Sequence, residues 1–172
     1  MRGLFRFPNP VNEISARLVA AGALTMALVI IVLDRLGYRG VWWLSVALAY
    51  GFVARVLTGP TLSPLGQLVT RVITPALNRP AKLVPGPPKR FAQGIGAVVS
   101  TTATVLALAF HQYTAAVILL GVLAVAAALE AFFAFCVGCT IFQGLMRIGV
   151  IPQAVCEECN NIWARQRVGQ TA

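Results

Sequence analysis

The chain is predicted to be an all-α, polytopic membrane protein with four transmembrane helices, an interfacial amphipathic helix and a short cytoplasmic C-terminal helix. Three observations carry that expectation. Hydrophobic residues make up 58% of the 172-residue chain and charged residues only 11%, with a mean hydropathy of +0.79, which leaves too few charges to cover a water-facing surface. The apolar residues gather into separate runs, each near the roughly 20 residues needed to cross a hydrocarbon core when its flanks are included. The charges stand at the ends of those runs. The formal net charge of +9 therefore reads as topology signals and lipid-headgroup contacts, with no nucleic-acid footprint.

The first run, 18–33, ends in Asp34-Arg35 without a small-residue cleavage site, so it reads as a span and not as a secretory signal. The second covers 41–57. A long connection follows over 58–93, and its first half spaces Leu65, Leu68, Val69, Val72, Ile73 and Leu77 like one face of a helix, with Gln67, Thr70, Arg71 and Thr74 between them. This is the interfacial helix. Pro80, Pro85, Pro87 and Pro88 then break the chain before a third span at 94–110. The fourth covers 115 to about 139, and the tail 140–172 completes a single membrane domain.

If all four runs cross, the termini and the long connection share one side. That side collects Arg2, Arg6, Arg17, Arg55, Arg71, Arg79, Lys82, Lys89, Arg90, Arg147, Arg165 and Arg167, against Arg35 and Arg39 on the other. The asymmetry predicts cytoplasmic termini in a bacterial inner membrane.

All four cysteines lie at or beyond the end of the fourth span, as the pairs Cys136/Cys139 and Cys156/Cys159. The spacing C-x2-C-x16-C-x2-C suits a four-cysteine zinc site and equally two dithiols. In a reducing cytosol, permanent disulfides are disfavoured, leaving metal binding or transient thiol chemistry. Quinone-linked disulfide-forming membrane enzymes share four helices and paired cysteines but act from the opposite face. At a helix start the sulfurs of Cys136 and Cys139 can approach closely enough to bond. The second pair is placed on the short C-terminal helix, because Pro152 suits a first turn and Ile162 and Trp163 continue an apolar side. Glu157 and Glu158 disfavour thiolates there unless a metal offsets their charge. A helix over 140–148, broken at Gly149 and Pro152, would let the second pair return to the first. His111, the sole histidine, falls on the other side and is no ligand.

Two further groups are candidates. Glu130 lies nine residues before Cys139, which would bury it about 14 Å deep at the helical rise. An acid there faces the bundle interior, either as a protonated partner of Ser100, Thr101, Thr102 or Thr104 or as a proton carrier. Lys89 and Arg90, just before the third span, are candidate anion-binding residues at a helix N-terminus, or plain lipid anchors. Ala124, Ala127, Ala128 and Ala131 mark the fourth span as a close-packing one.

The segments FPNPVNEISAR, GPPKRFAQGIG, ALEAFFAFCVGCTIFQGLMRIGVIP and CEEC resemble an uncharacterised bacterial family of small integral membrane proteins, a domain of unknown function (DUF4395). The resemblance implies a polytopic inner-membrane protein whose relatives are often encoded near thioredoxin-like and rhodanese-type sulfurtransferase proteins. It implies no reaction, but it favours thiol or sulfur chemistry at the four cysteines. The expected function is thiol-disulfide exchange or sulfur transfer with such a partner. The alternatives are a membrane scaffold holding zinc on Cys136, Cys139, Cys156 and Cys159, and a transporter of a small anion or sulfur compound.

Overall fold

The computed structural model describes residues 9–77 and 80–152. In chain order its elements are β1 (Val11–Asn12), α1 (Glu13–Arg35), α2 (Trp42–Thr58), α3 (Pro64–Leu68), α4 (Thr74–Ala76), β2 (Leu83–Val84), α5 (Gly86–Leu108), α6 (Tyr113–Phe133) and α7 (Val137–Arg147). The all-α expectation holds. The stretches Glu13–Arg35, Arg39–Thr58, Gly86–Leu108 and Tyr113–Phe133 are long and apolar enough to cross a membrane. The C-terminal helix expected to carry Cys156 and Cys159 lies outside the described residues.

The helix starts follow from local chemistry. Asn12 caps α1, its side-chain oxygen accepting from the Ile14 amide at 3.0 Å, and Glu13 in the first turn complements the helix dipole. This start lies five residues before the apolar run and brings Arg17 into the helix. Pro87 and Pro88, read as breakers, instead occupy the first turn of α5, where a missing N–H removes no bond. The third span therefore begins at Gly86, not at 94, and Lys89 and Arg90 belong to it. The fourth shortens in the opposite direction. α6 stops at Phe133, Ala134 takes a left-handed conformation with φ 56°, and the chain turns before a separate α7 begins at Val137.

The connection after α2 is helical from Pro64 to Ala76, with a widened π turn over Val69–Ile73. Pro75 gives the reason, since its ring would press on the Arg71 carbonyl of a regular helix and it offers no N–H. This segment touches the bundle on one side. Val69 is buried, Leu65 lies against the backbone of Gly22, and Ser15 and Thr74 share a hydrogen bond at 2.9 Å. Leu68, Val72 and Leu77 remain exposed on its other side, as an interfacial helix requires.

α5 packs between α2 and α6, α1 covers α6, and a smaller α1–α2 contact closes the ring. The core is built on small residues, with Ala23, Ala27, Ala103, Ala107, Ala116 and Ala124 buried around Ile30, Trp42 and Leu120. Large apolar side chains such as Trp43, Val98, Ile118 and Phe132 point outward. This arrangement suits lipid, because small residues let helices approach while lipid solvates the large ones. The hydroxyls of α5 serve the same packing. Thr104 bonds Ser45 of α2 at 2.9 Å, and Ser100 returns its proton to the Gly96 carbonyl at 2.7 Å.

At the end away from the cysteines, Asp34 accepts from the Trp42 indole at 2.8 Å and from Arg39 at 2.7 Å. The Arg39 guanidinium also lies 4.1 Å from the centre of the Tyr113 ring. One carboxylate thus joins the ends of α1, α2 and α6.

The α2–α5 contact is testable at Gly96, where an added Cβ would stand 2.5 Å from Phe52 Cε1. Gly96→Val is expected to lower stability by about 1–3 kcal/mol through overpacking. Thermal unfolding in detergent measures this, and parental stability would show that the two helices are less closely seated.

Candidate functional site

Among the described residues, the sequence candidates lie toward one end of the bundle. Cys136 and Cys139 form a disulfide with Cα atoms 5.2 Å apart. Cys136 is also the N-cap of α7, its sulfur accepting from the Cys139 amide at 3.3 Å. The Val-Gly pair between the cysteines has a packing reason. Gly138 is buried against α5, and a Cβ there would lie 2.5 Å from Ala92 Cα, so only glycine permits this approach of backbones. Phe142, one turn further, packs against Phe91 with the rings tilted and their centres 5.5 Å apart. The CxxC motif is therefore held on α5.

Glu130 does not bond the α5 hydroxyls. Its Oε1 accepts from Lys89 Nζ at 2.6 Å, with the lysine side chain 9% and the carboxylate side chain 20% exposed. The correction follows from the helix boundaries. Because α6 ends at Phe133, Glu130 is roughly 5 Å from its end by helical rise, level with the first turn of α5, where Lys89 stands. The hydroxyls of Ser100 and Thr104 lie farther along α5 and are used by the backbone and by Ser45.

Arg90 Nε donates to the Val56 carbonyl at 2.9 Å, so Lys89 and Arg90 are directed to different helices. Arg17, read only as a topology charge, donates from Nε to the Ala131 carbonyl at 3.0 Å and from Nη2 to the Phe132 carbonyl at 3.1 Å. It thereby satisfies carbonyls that a helix end leaves free and fixes the turn that presents Cys136.

A partly open cavity of about 270 Å³ lies between α1, α2, α5, α6 and α7, with Cys136, Glu130, Lys89, Arg55 and Gln93 on its wall. Most of the rest is alanine, valine and isoleucine. Arg55 too reads in the sequence only as a topology charge. It is 3% exposed, its guanidinium sits 4.4 Å from the centre of the Phe52 ring, and Nε and Nη1 have no hydrogen-bond partner. Gln93 Oε1 is likewise buried and unpaired. An arginine one turn from the end of an apolar helix is the only sequence signal for this group, and it is shared by every membrane anchor.

Cys156 and Cys159 lie outside the described residues, so the single four-cysteine site does too. Among the described residues no group of three or more His, Cys, Asp or Glu side chains is placed to hold a metal. Cys136 and Cys139 would offer thiolates to zinc only after reduction.

The ion pair generates a sharp expectation. Glu130→Gln leaves the buried Lys89 ammonium unpaired and is expected to cost about 3 kcal/mol or more, whereas the joint change Lys89→Met with Glu130→Leu should recover most of it. Melting temperatures of the two variants decide the point, and a fully stable Glu130→Gln would show that the charge of the carboxylate is dispensable.

No curated protein and no solved structure matches the chain. A profile of one family matches residues 11–147, a stretch that includes Cys136 and Cys139 and ends before Cys156. The chain belongs to DUF4395, a domain of unknown function.

Proposed function

We propose that the protein is a thiol-disulfide exchange or sulfur-transfer protein of a bacterial inner membrane, working on the cytoplasmic face through Cys136 and Cys139. The observation that carries this is a CxxC disulfide seated at the N-terminus of an eleven-residue helix, with the first cysteine on the wall of a charged cavity. On reduction, a thiolate at Cys136 meets the Cys139 amide and the positive end of α7, both of which favour negative charge. Cys136 is then the attacking sulfur and Cys139 the resolving one.

With a partner disulfide, the Cys136 thiolate attacks one sulfur and the other leaves as a thiolate. Cys139 next attacks Cys136, its own proton passing to solvent or base, and displaces the second partner sulfur. The chain loses two electrons and the partner gains them, and the sequence runs equally in reverse. With a persulfide donor, Cys136 takes the outer sulfur and releases the donor thiolate. Cys139 then displaces that sulfur as hydrosulfide, which carries off the two electrons. A thioredoxin-like or rhodanese-type protein supplies either partner. Cys156 and Cys159 form the second dithiol available for exchange with the first.

The cytoplasmic assignment rests on cation placement. Among the described residues Arg17, Arg55, Arg71, Lys82, Lys89, Arg90 and Arg147 lie toward the cysteine end, and Arg35 and Arg39 toward the other. A cysteine placed at exposed Tyr38 of an otherwise cysteine-free protein should react with a membrane-impermeant reagent in intact cells, and one at Lys82 should not. The reverse labelling would put the disulfide outside and overturn the partner assignment.

The chemistry is tested by trapping. Cys139→Ser should accumulate a mixed disulfide with a thioredoxin-like partner, because the resolving step is removed, while Cys136→Ser should accumulate none. Absence of the adduct, together with thiols that become reactive only after a chelator is added, would favour the four-cysteine zinc scaffold instead.

A further inference from the structure

Arg55 is the group that the exchange chemistry leaves unused. Its charge lies inside an apolar bundle, 3% exposed, and a buried cation is expensive unless an anion meets it. The nearby carboxylate is already taken, since Glu130 pairs with Lys89 at 2.6 Å. Arg55, Lys89 and Glu130 together leave the cavity wall one positive charge in excess. Its Nε and Nη1 have no partners and lie on different edges of the guanidinium, so each offers an N–H donor to an acid group.

The rest of the wall limits what carries that acid group. Ala16, Ala20, Val122, Ala126 and Ile141 contribute only apolar surface, so a strongly hydrated inorganic anion would lose its water shell for too few donors. An organic carboxylate with a small apolar body matches both parts of the wall. Cys136 shares that wall, which adds sulfur to the description. A second cavity, of about 170 Å³, shares Ala16, Val19, Arg55 and Gln93 with the first and reaches Pro60 and Thr70 at the connection end of the bundle. Arg55 and Gln93 thus stand where a soluble molecule arriving from that side would meet the inner cavity.

We propose that Arg55 anchors the carboxylate of a small monoanionic thiol, or of its disulfide, whose sulfur is thereby presented to Cys136. This rests on the exchange reading and names the substrate class for that same site. The thiol attacks the Cys136–Cys139 disulfide at Cys136 and releases the Cys139 thiolate. A second thiol molecule attacks the sulfur of the first, releasing Cys136 and leaving with two electrons lost as a small-molecule disulfide.

The test uses the full chain in phosphatidylcholine nanodiscs and follows reduction of its disulfide by 3-mercaptopropionate, 2-mercaptoethanol and 2-aminoethanethiol. Each rate is divided by the same thiol's rate on a small linear disulfide. The anionic thiol is expected to lead the cationic one by about tenfold or more, the scale of one hydrogen bond to a charged group. Arg55→Gln should abolish that lead, and Arg55→Lys should keep part of it. A lead that survives in Arg55→Gln, or no lead in the parent, overturns the proposal.

Propionate, which has no sulfur, separates the site from the chemistry. It should raise the melting temperature of the parent and not of Arg55→Gln. If it does so while no thiol reduces the disulfide, the exchange reading fails and the carboxylate site stands. If it stabilises both proteins equally, the site fails whatever the thiols do. Loss of the propionate effect in phosphatidylglycerol discs would overturn the soluble occupant by putting lipid phosphate on Arg55.

Discussion

The ion pair between Lys89 and Glu130 is the interaction on which the cysteine end of the molecule depends. It joins the first turn of α5 to the last turn of α6 inside an apolar bundle, with both side chains largely withdrawn from water. Within hydrocarbon neither charge is tolerable alone, so the pair sets the relative height of the two helices. α7 inherits that register. It begins a few residues after Glu130 and lies on α5 through Gly138 and Ala92, while Arg17 of α1 satisfies the carbonyls at the turn between α6 and α7. The disulfide is therefore positioned by three spanning helices and does not hang from one.

Small residues make this possible. Alanines at the α1–α6 and α5–α6 contacts leave space that larger side chains would fill, and toward the cysteine end that space becomes a cavity. The opposite end is built differently. There buried Trp42 and Asp34 join half-buried Tyr113 and exposed Arg39 through hydrogen bonds and a cation–ring contact. One end is tied by a polar knot, the other holds a charged cavity. The division of labour matches the distribution of the candidate residues.

Fold class was legible because hydropathy over a long window is a strong, local signal, and four apolar runs survive any reasonable choice of boundary. Boundaries were less legible. Pro87 and Pro88 read as breakers by composition, yet at a first turn they are favourable, and only the structure shows where the turn is. Ala134 and Phe135 continue the apolar run without a gap, so the end of α6 is a backbone event that hydropathy does not register. A fourth span drawn to 139 therefore puts Glu130 deeper than it lies, level with the α5 hydroxyls. The true partner, Lys89, is 41 residues away in sequence, and a contact at that separation leaves no periodicity to read. Cys136 and Cys139 could be named from spacing because a CxxC pair is local. Arg55 could not, since its meaning lies in what fails to pair with it.

The charge balance of the cavity ties the two proposals together. With the disulfide formed, its wall carries Arg55 and Lys89 against Glu130, an excess of one positive charge, and an anionic thiol is drawn to it. In the proposed reaction the disulfide is cleaved and a thiolate at Cys136 appears on that same wall. Arg55 then has a negative neighbour supplied by the protein. The incoming carboxylate loses its electrostatic reason to stay, because a like charge has formed beside it in a medium where screening is weak. Binding would thus be strongest in the oxidised state and weakest in the reduced one. By linkage, whatever binds the oxidised form more tightly also stabilises the disulfide. The same unneutralised arginine would therefore attract the reductant and, once the thiolate forms, help to release its product.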